Sequence, residues 1–474
     1  MIELMIISGF VLLISITSSK LLYKFGVPIL LVFIILGMLF GSDGIVGIYF
    51  SDYRLTKELS SIALVLIMFY GGFGTNWNMA KPSAMPSILM STLGVLITAI
   101  LTGLFTHWIL GTTLLEGLLI GSIVASTDAA SVFAILRSQK LNLEGSLASL
   151  LEVESGSNDP FAYMLTLAIL TLMENGSLSN LTILLIKQII FGIVVGILLA
   201  KVSIYLIKKL NFEIKGFYAI FITAIAILSY ALSEYIGGNG YLSVYMCGII
   251  IGNSKIPYKK SLFKFLDCIS WIMQIALFFI LGLLSFPSKL INIIRISIPI
   301  SIFMIFIARP LATFIVLHKF KYSLKEKIFI SWVGLRGAAS IVFAIYAITY
   351  GVFIKSDIFH VVFSVALLSV AIQGTLLPKI AKKLDLVDEN TRVLKTFNDY
   401  SGDIDKKIIE VAITEKNTCV NKSISDAEIG DDILIIMIKR KGDTILPKGS
   451  TIIQNGDILI LTGEDIVNFN EKSL

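Results

Sequence analysis

Apolar stretches of roughly twenty residues, the length that crosses the hydrocarbon core of a bilayer, recur from the start of the chain to about residue 380. Backbone inside that core must satisfy its own hydrogen bonds, so each stretch is committed to helix. Thirteen cores can be placed, at 2–20, 27–41, 58–75, 86–108, 113–136, 147–173, 183–207, 217–236, 240–253, 264–285, 290–317, 325–349 and 358–380. The fold class that follows is an all-α polytopic membrane protein. Composition agrees: 56% of the 474 residues are hydrophobic and 15% are charged, too little polar surface to wrap a soluble body of this size. The first core follows Glu3 rather than a basic segment and runs on toward a second span, so it reads as a transmembrane helix and not a signal peptide.

The net charge of +6 marks orientation, not nucleic-acid binding. Nineteen Lys and Arg, among them Lys20, Lys24, Lys140, Lys208 and Lys382, follow odd-numbered spans; six follow even-numbered ones. The positive-inside rule then puts the N-terminus outside and the C-terminus in the cytoplasm of a bacterial cell, at the inner (plasma) membrane. Residues 1–383 form the membrane domain. Residues 384–405 are charged and turn-rich and read as a linker. From 406 to 474 short β-runs at Ile408 to Ile413, Ile433 to Ile438 and Asp457 to Leu461 are punctuated by Gly442-Asp443, Lys448-Gly449 and Asn455-Gly456, which indicates a small α+β cytoplasmic domain. Three cysteines, Cys247, Cys268 and Cys419, have no metal-site spacing.

An ionisable side chain inside a span costs about 2.5–3.5 kcal/mol on insertion scales, so each one present asks for a reason. The deepest are Asp128, Glu152, Glu154, Asp159, Glu234, Asp267, Arg309 and Arg336. Glu234 and Asp267 lie near span ends and are expected to face water; Arg309, beside Pro310, is expected to pair structurally. Span 5 reads Ser126-Thr127-Asp128-Ala129-Ala130-Ser131 in mid-membrane. Ser126 and Thr127 can satisfy backbone groups freed by a break in the helix, and Asp128 would sit at the start of a second half-helix, where the dipole favours its charge. Span 6 reads Glu152-Val153-Glu154-Ser155-Gly156-Ser157-Asn158-Asp159-Pro160. Ser155 and Asp159, four apart, share a helix face. With Thr127 and Asp128 they offer the oxygen-rich surroundings a monovalent cation requires, with too few carboxylates for a divalent cage. A carboxylate withdrawn from water also holds a proton more tightly. One such group can carry a cation or a proton but not both, and that competition is sufficient for exchange. Span 12 carries Gly334-Leu335-Arg336-Gly337-Ala338. Its arginine needs an anion, and Glu154 is the expected partner in a structural ion pair. Interruptions in spans 5 and 12, one in each half of the chain, are the pattern of a transporter site.

Thr127-Asp128-Ala129, Glu154 to Pro160 and Gly334 to Ala338 resemble the motifs of the NhaP-type branch of monovalent cation/proton antiporters, in order and over residues 1–383. The resemblance implies thirteen helices in inverted repeats, crossed discontinuous helices 5 and 12, and a homodimer. It implies that Asp159 carries the ion or proton, assisted by Ser155, Thr127 and Asp128, and that Asn158, standing where related exchangers have a first aspartate, makes exchange electroneutral. Tyr70 in Phe69-Tyr70-Gly71-Gly72 occupies a position that is often acidic in the family, and its presence makes potassium the slightly favoured cation over sodium. Residues 433–463 resemble the RCK C-terminal (TrkA-C) module, which implies dimerisation and a small-molecule regulator such as a cyclic dinucleotide. Two other classes compete. A regulated potassium channel would need a Thr-Val-Gly-Tyr-Gly filter, for which Gly238-Asn239-Gly240-Tyr241 is no substitute. An intramembrane aspartyl hydrolase could use Asp128 and Asp159, but it leaves Arg336 and the paired broken helices unexplained. No catalytic residue or resident cofactor is expected.

Overall fold

The computed structural model describes residues 9–17, 29–139, 141–143, 146–174, 176–210, 212–387, 408–414, 417, 419–427, 433–440 and 443–463. Lys20, Lys24 and Lys140, Gly442, most of the expected linker and the first half of span 1 lie outside these residues. The chain divides into two compact units, Met1–Tyr400 and Ser401–Leu474.

The first unit is helical. After a helix at 9–17 (α1) come α2 Ile29–Phe40, α3 Tyr53–Gly74, α4 Trp77–Leu110, α5 Leu114–Val124, α6 Ala129–Ser138, α7 Leu147–Met173 and α8 Leu178–Leu210. Then follow α9 Lys215–Tyr235, α10 Gly240–Gly252, α11 Lys259–Leu284, α12 Pro287–Leu317, α13 Leu324–Trp332, α14 Ala338–Thr349 and α15 Ile358–Lys383. Among the described residues eight helices are long and apolar enough to cross a membrane, taking Leu114–Leu136 as one; Ile29–Phe40, Gly240–Gly252 and Ala338–Thr349 are apolar but shorter. At 27 residues α7 would span about 40 Å at 1.5 Å per residue, and it departs from an ordinary span by carrying Glu152, Glu154 and Asp159.

Local chemistry sets the helix starts. The side chains of Asp52, Thr113 and Asn239 accept from the backbone N–H groups of Leu55, Glu116 and Leu242, and Ser323 closes a capping box with Glu326. The fourth span begins at Trp77, well before the expected 86, because Asn76 caps it there. Single π-helical turns interrupt α4 at Met90–Gly94, α12 at Met304–Ala308 and α15 at Val370–Gly374. Bilayer helices associate without a hydrophobic driving force between them, so close backbone approach matters. Between α4 and α5 it is extreme: a Cβ on Gly121 would lie 2.2 Å from the Ala99 carbonyl oxygen.

The second unit is a four-stranded antiparallel sheet in the order β1-β4-β2-β3, from β1 Ile408–Ala412, β2 Ile433–Arg440, β3 Asp443–Ile445 and β4 Ile458–Gly463. A register shift between Ile435 and Met437 marks a bulge in β2. Ile435, Ile438, Ile453, Leu459 and Leu461 form its core with Val411 and Cys419. Only strands and turns occur among this unit's described residues, so the helical share of the expected α+β domain has no counterpart there. Buried Asp457 receives Arg440 Nε and Nη2, both at 2.8 Å, which ties β2 to the start of β4.

Candidate functional site

The two interrupted stretches meet. Residues 125–128 leave helix between α5 and α6, and 333–337 do so between α13 and α14. The Asp128 backbone N–H donates to the Leu335 carbonyl at 2.8 Å, which joins one break to the other. Gly337 permits this contact, since a Cβ there would stand 2.5 Å from Asp128 Oδ2. Asp128 caps α6: Ser131 donates its backbone N–H to Oδ1 and its hydroxyl to Oδ2. That is the place expected for it at the head of a half-helix.

Helix α7 passes beside the first break and is tied to it at successive turns. Ser155 Oγ donates to the Thr127 carbonyl at 2.8 Å and accepts from the Ala129 N–H at 2.8 Å. Asn158, fully buried, donates its Nδ2 to Thr127 Oγ1. The Ser126 hydroxyl donates to Asp159 Oδ1. Pro160 supplies no N–H, so the Gly156 carbonyl loses its intrahelical donor. The Pro160 carbonyl itself accepts from Asn239 Nδ2 at 2.7 Å.

A cavity of about 180 Å³ opens on this arrangement. Asp159, Asp128, Thr127, Ser126, Ser155 and Gly156 line it together. All the residues the sequence nominates for ion or proton binding are thus brought to one place, with Asn158 behind the wall as a fastening. Tyr70 lines the cavity too, where its hydroxyl donates to Asp267 Oδ1 at 2.6 Å. Asp267, expected to face water at a span end, is half-buried and lines the cavity. Glu234, likewise expected to face water, accepts from the Gly240 N–H at 2.9 Å and the Tyr163 hydroxyl at 3.4 Å. Among the described residues no group of three or more His, Cys, Asp or Glu could hold a metal ion between them.

The expected pairing of Glu154 with Arg336 is not the one formed. Glu154 Oε1 receives Arg309 Nη2, the two side chains being 1% and 2% exposed. Arg336 turns to backbone: its Nη1 donates to the carbonyls of Ala125 and Ser126 at 2.6 and 2.8 Å. The physical reason lies in the break. The end of α5 leaves carbonyls without helical donors and carries the negative end of the helix dipole, so a cation can be satisfied there without a carboxylate. The expectation that every buried arginine seeks an acid missed this. Arg309 lies against the second break, where a Cβ on Gly334 would come within 3.0 Å of its Nε.

Residues 9–383 match the family described as "Sodium/hydrogen exchanger, transmembrane", and residues 408–465 match the TrkA-C domain. The chain is 38% identical over 383 residues to the K(+)/H(+) antiporter NhaP of Alkalimonas amylolytica, covering 80% of this chain and 67% of that one. It is 34% identical over 440 residues to the K(+)/H(+) antiporter NhaP2 of Shewanella baltica, covering 91% and 76%. Its fold is similar to the structure of the sodium proton antiporter MjNhaP1 from Methanocaldococcus jannaschii at pH 8, with a TM-score of 0.71, 26% identity, and coverage of 81% of this chain and 99% of that one. With the match running through both interrupted helices and the helix that carries Asp159, the chain belongs to the sodium/hydrogen exchanger family.

Proposed function

We propose that this protein is a secondary antiporter that exchanges K⁺ for H⁺ at Asp159, one ion for one proton, by alternating access. The observation that carries the reading is the position of Asp159: its carboxylate lines the cavity and is held by the Ser126 hydroxyl from the interrupted stretch. Either a proton or K⁺ neutralises the carboxylate, so either form can recross. The empty anion meets a barrier of about 2.5–3.5 kcal/mol on insertion scales, roughly a hundredfold in rate. Coupling arises from that difference.

Potassium is preferred because the K(+)/H(+) antiporters are the more similar relatives, at 34–38% identity, whereas the sodium proton antiporter structure stands at 26%. Tyr70, in place of an acid at the cavity wall, supports the same choice. The pair of broken helices, α5/α6 and α13/α14, one in each half of the chain, supports the reading of thirteen helices in inverted repeats. The lysine asymmetry supports an outside N-terminus and a cytoplasmic C-terminus, with two copies forming a dimer in lipid. The TrkA-C domain would regulate exchange by binding a small molecule.

The test is proton flux in proteoliposomes, read by a pH dye after an imposed K⁺ or Na⁺ gradient. Asp159→Asn should abolish K⁺-driven flux while the purified protein stays folded. Substantial remaining flux would reject Asp159 as the exchanging group, and flux driven by Na⁺ alone would reject potassium.

A further inference from the structure

Asp267 lies on α11, away from the interrupted helices, yet it lines the same cavity as Asp159. It does not stand alone on its helix. Ser270 and Gln274, three and seven residues on, share its face and also line the cavity. Gln274 Nε2 donates to Ser270 Oγ at 3.1 Å. A polar stripe thus runs along a helix whose other buried positions, such as Leu266, Leu277 and Leu281, are apolar. Across from it, Tyr70 of α3 donates its hydroxyl to Asp267 Oδ1 at 2.6 Å. Tyr245, a residue only 3% exposed, lines the cavity as well.

We propose that Asp267 is a second carboxylate ligand of the cavity, oriented by Tyr70, which takes a partly dehydrated cation before Asp159 does and sets the preference for K⁺ over Na⁺. The proposal rests on the reading of Asp159 as the exchanging group and adds a specificity residue to that site. The chemistry is one of field strength. A carboxylate oxygen that already accepts a hydrogen bond presents less negative field to an ion. Weaker ligands repay the dehydration of K⁺ more readily than that of the smaller and more tightly hydrated Na⁺. Tyr70 therefore acts through Asp267 as a positioning residue: it fixes the carboxylate and attenuates it at the same time.

The experiment compares the full-length protein with Asp267→Asn, Asp267→Glu, Tyr70→Phe and Asp159→Asn in proteoliposomes. The half-saturating K⁺ and Na⁺ concentrations and the maximal rate are measured for each. Asp267→Asn keeps an oxygen for Tyr70 but loses the charge. It should raise half-saturating K⁺ about tenfold, with the maximal rate within about twofold; Asp267→Glu should recover most of the loss. Tyr70→Phe should lower half-saturating Na⁺ relative to K⁺, a change in selectivity that loss of a mere helix tie would not produce. If Asp267→Asn fails to fold, Tyr70→Phe and Asp267→Glu still decide. An unchanged K⁺/Na⁺ ratio in Tyr70→Phe overturns the proposal, as does a fall in maximal rate at constant half-saturation in any folded Asp267 variant. Exchange that survives Asp159→Asn would instead sink the reading underneath, and the two failures are told apart by that one control.

Discussion

Arg309 and Glu154 meet where water does not reach, and that decides what their loss should cost. Removing one partner strands the other as an uncompensated buried charge, a penalty of about 3–5 kcal/mol. Arg309→Ala should therefore depress the melting temperature of the purified protein sharply, and Arg309→Met with Glu154→Gln should recover much of it. Equal melting of Arg309→Ala and the parent would contradict the pairing. This pair is also where the sequence was least legible. Asp159, Ser155, Thr127 and Asp128 could be read from their spacing because helix periodicity and the cost of a charge in lipid act locally. Which arginine reaches Glu154 depends on how α12 and the break after α13 pack, and no local rule carries that. For Asp267 a place near a span end was legible, but not the Tyr70 hydroxyl of α3 that holds it at the cavity wall. In the C-terminal unit Asp457 offers a counterpart. Burial pushes its carboxyl up, but hydrogen bonds from Arg440 and the Gln454 N–H, with the guanidinium charge, hold it below its ordinary 3.8. A depressed folded value means stability present above 3.8 and lost as the pH falls through the lower, folded value. Amide exchange across β2 and β4 should accelerate as the pH is lowered in that range, after correction for intrinsic rates, and Asp457→Asn should flatten the response.

The breaks in α5/α6 and α13/α14 bring the two halves of the membrane unit together at the cavity. Both were visible as small and hydroxyl residues around a charge in mid-span, a composition with no packing reason to include Asp128 or Arg336. That the two stretches touch was legible only as a pattern of paired interruptions; the bond from the Asp128 N–H to the Leu335 carbonyl is a product of tertiary packing. The contact has no room for a side chain at Gly337. Gly337→Val would drive methyl groups into Asp128, whose two oxygens are already engaged by Ser131. It should lower exchange at least tenfold, more through the maximal rate than through half-saturation, because it separates the breaks without removing a cavity oxygen. Gly216→Ala, where a Cβ meets nothing within 4 Å, is the matched control and should transport normally. A fully active Gly337→Val would show that the crossing tolerates separation and that Asp128 need not be held there. The π-helical turns in α4, α12 and α15 escaped the sequence reading altogether, since an extra residue in a turn leaves no mark on an apolar run.

For the whole molecule the account of charge is the final constraint. Within the membrane unit Arg309 and Glu154 cancel, Arg336 is spent on two carbonyls, and Asp128 is closed by Ser131. Asn158, where a second ionisable group would double the charge, is a buried amide fastened to Thr127. In the proposed cycle Asp159 is the group at the crossing that exchanges its occupant, and each occupant carries a single positive charge. Moving a net charge through the membrane is worth about 2.3 kcal/mol per 100 mV, roughly fiftyfold in the final ion distribution. A cycle that moves K⁺ one way and H⁺ the other moves none. The K⁺ and H⁺ gradients at which flux reverses should therefore be the same at zero potential and at 100 mV imposed by an anion gradient. A displaced reversal point would mean a second titrating group in the cycle. Asp128→Asn and Asp267→Asn would then identify it, by returning the reversal point to its potential-independent value.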